Sequence, residues 1–178
     1  MTTYAAFLRG INVGGHHIIS MSDLRREFSK FGMQEIKTIL NSGNVRFKTG
    51  EKNIPRLQSG IQTHLEAVFG FPIPVIIRTM NHISALIDKN PFSTVKATSD
   101  TRFYLSFLKR APRESPALPI TSEDGAYTIL SHNGAEVFSV MDKALCTTPN
   151  VMVLLEKSFG SEITTRKLDT VIKVINFK

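Results

Sequence analysis

Tyr4-Ala5-Ala6-Phe7-Leu8-Arg9-Gly10-Ile11-Asn12-Val13-Gly14-Gly15 is an apolar run that ends in a loop holding three glycines, one arginine and one asparagine. A short apolar run bounded by a glycine-rich loop reads as a buried central strand rather than a helix. The loop asks for something different. Glycines let the backbone adopt positive φ and come close to a ligand, while Arg9 supplies a fixed charge and Asn12 an amide. The stretch therefore reads as a central strand delivering to one edge of a sheet either a binding loop or a structural turn, in which the glycines allow positive φ and Arg9 and Asn12 brace the neighbouring hairpin by hydrogen bonds.

Working outward, Ser20 and Asp23 form a capping-box pattern, and Met21, Leu24, Phe28 and Phe31 recur as one helical face that Gly32 closes. The other face carries Arg25, Arg26 and Lys30 with Glu27, and reads as solvated. Residues 35–40 and 45–48 read as strands joined by the hairpin signal Asn41-Ser42-Gly43-Asn44. Asn53 as cap, Pro55 in the first turn, the stripe Leu57, Ile61, Leu65 and Val68, and Gly70 as stop define a second helix. Residues 72–78 form a fourth strand whose prolines stay at its entry. The order is βαββαβ. In a ferredoxin-like sheet of that order the first two strands run the same way and the third returns between them. The loop after the first strand and the hairpin after the second then leave the sheet at one edge. Arg9, Asn12, Ser42 and Asn44, with the amides of Gly14 and Gly15, are the candidate anion-binding set there.

Beyond this half, residues 82–89 read as a helix with Ile83, Leu86 and Ile87 on its face, and residues 93–101 as a polar linker. Residues 102–108 read as a strand, 112–119 as a proline-rich loop or very short helix, and 127–130 with 136–140 as strands around His132-Asn133-Gly134. Thr148-Pro149 opens a helix with Met152, Leu155 and Phe159 on its stripe. Residues 162–165 read as a short strand, and Leu168, Val171, Ile172 and Ile175 as a C-terminal helix. Three matches recur in the same order: Tyr4-x-x-Phe7-Leu8-Arg9 with Tyr104-x-x-Phe107-Leu108-Lys109, Gly43-x-x-x-Phe47 with Gly134-x-x-x-Phe138, and Leu65-Glu66-x-x-Phe69-Gly70 with Leu155-Glu156-x-x-Phe159-Gly160. The expected fold is α+β: two ferredoxin-like subdomains, read as an internal duplication, plus a C-terminal helix. Their expected bounds are residues 1–79 and 102–178, joined by a helix and linker over 80–101. The second half has no counterpart of the glycine loop, so a site of that kind is single.

Composition narrows the function classes. A chain of 178 residues with 42% apolar content supports an ordinary core, and its net charge of +7 favours anionic partners. No apolar run approaches the ~20 residues that span a bilayer, and the start lacks a basic and apolar leader pattern, so no membrane association and a cytoplasmic location are expected. The single cysteine, Cys146, excludes an internal disulfide and a cysteine-rich zinc site, and it reads as a packed thiol. His16, His17, His64, His82 and His132 match no zinc spacing, so no metal is expected. Gly10, Gly14 and Gly15 reproduce neither the dinucleotide-binding fingerprint nor a P-loop ending.

Phe7-Leu8-Arg9-Gly10-Ile11-Asn12-Val13-Gly14-Gly15, then Met21-x-x-Leu24-Arg25, then Ser42-Gly43-Asn44-Val45-x-Phe47 resembles the bacterial family catalogued as domain of unknown function 1697. Asn90-Pro91-Phe92 and Thr165-Arg166 extend the resemblance over nearly the whole chain. Where that family continues Thr-Arg-Asn-Trp, this chain has Thr165-Arg166-Lys167-Leu168, so no role for that Asn and Trp carries over. The resemblance implies an α+β fold with ferredoxin-like parts, and no known catalytic residue, cofactor or substrate. The site therefore reads as one for a small phosphate-bearing ligand, with the catalytic residues and cofactor unknown. Three alternatives stand beside it. A nucleic-acid module is weakened because Tyr4, Phe7 and Phe47 read as core. An acylphosphatase-like hydrolase rests on fold analogy and on electrostatic stabilisation by Arg9. A protein-interaction module is the third.

Overall fold

The computed structural model describes residues 1–145 and 151–177. The expectations for Cys146 and for a helix start at Thr148-Pro149 lie outside the described residues. In chain order the elements are β1 (Thr2–Leu8), α1 (Met21–Lys30), β2 (Gln34–Ile39), β3 (Asn44–Thr49), α2 (Ile54–Phe69), β4 (Val75–Thr79) and α3 (Met80–Asp88). These are followed by β5 (Thr101–Leu108), β6 (Ile120–Thr121), β7 (Tyr127–Asn133), β8 (Glu136–Asp142), α4 (Val151–Phe159), β9 (Ile163–Lys167) and α5 (Leu168–Asn176). The result is a mixed α+β chain with two antiparallel sheets and five helices among the described residues. It divides into two compact units, Met1–Asp88 with Lys173–Lys178, and Lys89–Ile172.

In the first unit the strand order is β2-β3-β1-β4, with every neighbouring pair antiparallel. β1 is central, which explains its unbroken apolar run. Tyr4, Ala6 and Leu8 lie in the core beneath the helices, while the alternate residues Ala5 and Phe7 are equally buried on the opposite face. Leu24 and Phe28 of α1 and Leu57, Ile61 and Leu65 of α2 complete that core as their spacing predicts. The helix ends are those read from the sequence. Ser20 Oγ accepts from Asp23 N at 3.0 Å, Asn53 Oδ1 from Arg56 N at 3.0 Å, and Gly70 closes α2 in the left-handed conformation.

Two readings of these helices need correction. Val68 lies at the edge of the α2 stripe and stays 45% exposed. Glu27, read as part of a solvated face, is only 1% exposed, because Lys30 (3.0 Å), Arg26 (3.2 Å) and His64 of α2 (3.2 Å) enclose its carboxylate. A carboxylate can be buried when it is ion-paired and hydrogen-bonded, and this one ties α1 to α2.

The second unit has the order β6-β7-β8-β5-β9, again antiparallel throughout. Its core gathers Leu108, Tyr127, Ile129, Val137, Leu155 and Ile163. The proline-rich segment 112–119 forms no helix, and it leads into β6, a two-residue edge strand with too short a pattern to register in the sequence.

Candidate functional site

The glycine loop is a small folded object. His16 N donates to Val13 O at 3.0 Å across Gly14 and Gly15, whose φ values of 59° and 79° make this a type I′ turn. Below it Asn12 N donates to His17 O at 3.1 Å. Asn12 and His17 both have positive φ (55° and 51°), as has Gly10 (76°). Asparagine tolerates that region better than most residues, which is one reason for Asn12. The other is its side chain. Its Nδ2 donates to Ile19 O (3.0 Å) and to Asn41 O (2.8 Å), and its Oδ1 accepts from Ile19 N (2.8 Å). One amide thus closes the loop on itself and bolts it to the β2–β3 hairpin.

The hairpin is fitted to the loop from its own side. Leu8 N donates to Gly43 O at 2.8 Å, and a Cβ on Gly43 would stand 2.8 Å from both Leu8 Cβ and Ile11 Cδ1. Only a residue without a side chain lets the two backbones approach so closely. Asn44 is fully buried, and its Nδ2 donates to Ile39 O (2.8 Å) and Ser42 Oγ (3.0 Å). Arg9 N donates to Pro74 O at 2.9 Å, anchoring the start of the loop to the entry of β4. His17, unremarked as a packing residue in the sequence, stacks on Phe71 with centroids 4.1 Å apart and has Nδ1 3.1 Å from Gly10 O.

The six candidate residues therefore fall into two groups. The Asn12 side chain ties the loop to the hairpin, and the Asn44 side chain braces the hairpin from within through Ile39 O and Ser42 Oγ. Arg9, half-buried, and Gly14, Gly15 and Ser42, all exposed, lie along the loop and the hairpin so joined. The Gly14 and Gly15 N–H groups donate to no other described residue. No acidic residue occurs between Met1 and Ser22 or between Ile36 and Gly50, so both segments are free of carboxylates. Val13 (66%), Ile18 (69%) and Leu40 (49%) are large aliphatics left exposed on them.

Elsewhere the titratable groups serve the fold. Glu27 is held below the usual glutamate range, first by its hydrogen bond from Lys30 and then by Arg26 and His64. Asp23 is lowered chiefly by Ser20, and Glu51 by the Asn53 amide. Burial brings Arg166 down to about 10, so it remains charged at neutral pH, and its Nη1 donates to Thr164 Oγ1 and Thr165 O, both at 2.9 Å. Burial also raises Tyr127, whose hydroxyl donates to Ser139. Among the described residues no group of three or more His, Cys, Asp or Glu side chains could hold a metal ion. Two clefts, of about 410 Å³ beside Ser122, Asp124, Tyr127 and Lys157 and about 280 Å³ beside Phe31, Glu51, Arg56 and Gly60, have none of the loop residues in their walls.

The fold and the loop define a class: α+β proteins with two antiparallel sheets in which a braced glycine loop follows the first, central strand. The chain matches the family described as Protein of unknown function (DUF1697) over residues 1–138, and it belongs to that family. A conserved bacterial protein from Streptococcus pneumoniae has a similar structure, with a TM-score of 0.71 at 22% identity over 98% of this chain and 97% of that one. At that identity the likeness speaks for the fold. No curated protein matches the chain in sequence. No helix among the described residues is long and apolar enough to cross a membrane.

Proposed function

We propose that the protein binds a small phosphate-bearing anion at the tip where the Arg9–Gly15 loop meets the Asn41–Asn44 hairpin. The observation that carries this reading is the bracing by Asn12, which holds the unengaged N–H groups of Gly14 and Gly15 in a carboxylate-free stretch that also carries Arg9. Preorganised backbone donors with an adjacent guanidinium favour an anion without reorganisation on binding. In this reading Arg9, Gly14, Gly15 and Ser42 bind, and Asn12 and Asn44 position. The loop contains no Asp, Glu or Cys to transfer a proton or attack a substrate, so binding, not catalysis, is the reading. Isothermal titration with inorganic phosphate, nucleotides and sugar phosphates tests it. A charge-assisted hydrogen bond is worth ~1.5–3 kcal/mol, so Arg9→Ala should weaken the binding compound about ten- to a hundredfold. If no compound binds the wild type, or Arg9→Ala binds as well, the reading fails.

We infer also that the two units are diverged copies of one ferredoxin-like βαββαβ arrangement, the second carrying the short strand β6 where the first carries α1, and that the cytoplasm is the setting of the whole protein. Support comes from register. Tyr4 faces Thr79 and Leu8 faces Val75, as Tyr104 faces Lys167 and Leu108 faces Ile163. Arg9 N donates to Pro74 O, and Lys109 N to Glu162 O, both at 2.9 Å. Arg78 and Arg166 sit on corresponding rungs, and each donates from Nη1 to the carbonyl of the preceding residue. One sequence match shifts by a residue: Leu108 N donates to Ala135 O where Leu8 N donates to Gly43 O, so the partner of Gly43 is Ala135, not Gly134. An experimental structure in which β1 and β5 fail to superpose in this register would refute the duplication.

A further inference from the structure

The cleft of about 410 Å³ in the second unit has walls from two elements of opposite character. One wall is the turn between β6 and β7. It is fixed by Ser122 N donating to Tyr127 O (2.8 Å), Gly125 N to Ser122 O (2.9 Å) and Ala126 N to Asp124 Oδ1 (3.0 Å). Asp124 Oδ1 also accepts from Ser122 Oγ, so that carboxylate serves the turn, and Glu123 is the second acid in the wall. The other wall is α4. This helix buries Val151 and Leu155 in the core, and its adjoining face carries Val153, Leu154 and Lys157, which line the cleft as helical neighbours at i, i+3 and i, i+4. Val153 is 56% exposed there, and Tyr127, whose hydroxyl is engaged by Ser139 at 2.6 Å, adds an aromatic surface.

Charge selects the occupant. Neither Glu123 nor Lys157 makes a hydrogen bond or ion pair with any described residue, although both line this one cleft. Two opposite charges neutralised neither by each other nor by a neighbour, with aliphatic side chains in the same walls, complement a ligand that carries both charges and an apolar body. We propose that the cleft binds a free α-amino acid with an apolar side chain: Lys157 takes its carboxylate, Glu123 its ammonium group, and Val153 and Leu154 its side chain. The volume falls in the range of roughly 300–1,000 Å³ typical of small-molecule sites. A phosphate would meet Lys157 but also two carboxylates, and a diamine would meet the carboxylates but also Lys157. A metal ion lacks ligands, since no three His, Cys, Asp or Glu side chains gather among the described residues. This inference goes beyond the phosphate reading and uses none of its residues, so each can fail alone.

The test titrates the full chain, isotopically labelled at its amides, with leucine, isoleucine and phenylalanine and follows it by two-dimensional NMR. Saturable shifts should appear at residues 122–127 and 153–157. Leucinamide and N-acetylleucine, each lacking one charge, should bind at least about tenfold more weakly than leucine. Glu123→Gln should weaken leucine about tenfold and leave N-acetylleucine unchanged, and Lys157→Gln should weaken leucine about tenfold and leave leucinamide unchanged. Both side chains are exposed, so both variants should keep the wild-type melting temperature. The proposal is overturned if none of the three amino acids gives saturable shifts, or if leucinamide or N-acetylleucine binds as tightly as leucine. It is overturned equally if either variant binds leucine as the wild type does, or if 1,4-diaminobutane binds more tightly than leucine. Phosphate binding lost in Arg9→Ala but retained in Lys157→Gln separates the two readings.

Discussion

Replacing Asn12 should cost this protein more stability than its half-buried position suggests. Three hydrogen bonds end on its side chain, at 3.0, 2.8 and 2.8 Å. Each is worth a net ~0.5–1.5 kcal/mol, giving a range of about 1.5–4.5 kcal/mol. Two local facts narrow it. Ile19 is only 3% exposed, so its amide and carbonyl lose their partner in a place water reaches poorly, whereas the exposed Asn41 can turn to solvent. About 2–3 kcal/mol is therefore expected for the hydrogen bonds alone. Asn12 also has φ 55°, and an alanine there adds roughly 1 kcal/mol of backbone strain that a glycine avoids. Asn12→Gly should thus lose about 2–3 kcal/mol and Asn12→Ala about 1 kcal/mol more. Asn12→Asp replaces two donors with a carboxylate aimed at two carbonyl oxygens, and at neutral pH should be no better than alanine. Urea unfolding of the four proteins reads these differences from the midpoint, with hydrogen exchange at the Ile19 amide as a local readout. A loss under about 0.5 kcal/mol in Asn12→Ala would refute the bracing argument.

The same structure makes three further predictions. Gly43→Ala should destabilise by about 2–4 kcal/mol, combining positive φ with overpacking against Leu8 and Ile11, and a calorimetric melting temperature equal to wild type would contradict the close approach. Leu65→Ala, at 0% exposure in the first core, should cost ~2–5 kcal/mol in urea unfolding, and a value under ~1 kcal/mol would mean the cluster collapses around the loss. Glu27 has its folded-state carboxyl lowered, so its contribution is complete above the unfolded glutamate value and disappears as pH falls through the lowered one. Stability should therefore fall less steeply on the acid side in Glu27→Gln than in wild type, without becoming flat, since Asp23 and Glu51 are lowered too. Parallel acid limbs in the two proteins would show that the Lys30, Arg26 and His64 contacts do not stabilise the carboxylate.

Much of this protein is legible without coordinates because it is written locally. The apolar run of β1, the stripe Leu24–Phe28, the stripe Leu57, Ile61 and Leu65, and the caps Ser20, Asn53 and Gly70 depend on residues within a turn or two of one another, and period and capping chemistry report them directly. The family, too, is carried by contiguous motifs around Arg9–Gly15 and Ser42–Phe47. Tertiary structure decided what those motifs are for. That Asn12 has both amide hydrogens on Ile19 and Asn41, that Gly43 is a contact point for Leu8 and Ile11, and that His17 lies on Phe71 are facts about groups 7 to 54 residues apart, Asn12 and Asn41 being 29 apart. Glu27 shows the same limit: its helical position gave it a solvated face, and only the arrival of His64 from α2, 37 residues away, with Lys30 and Arg26 folded over it, made burial tolerable. Periodicity records which face a residue occupies, but not which distant donor or acceptor meets it there, and that meeting is what turns a glycine-rich loop into a braced tip.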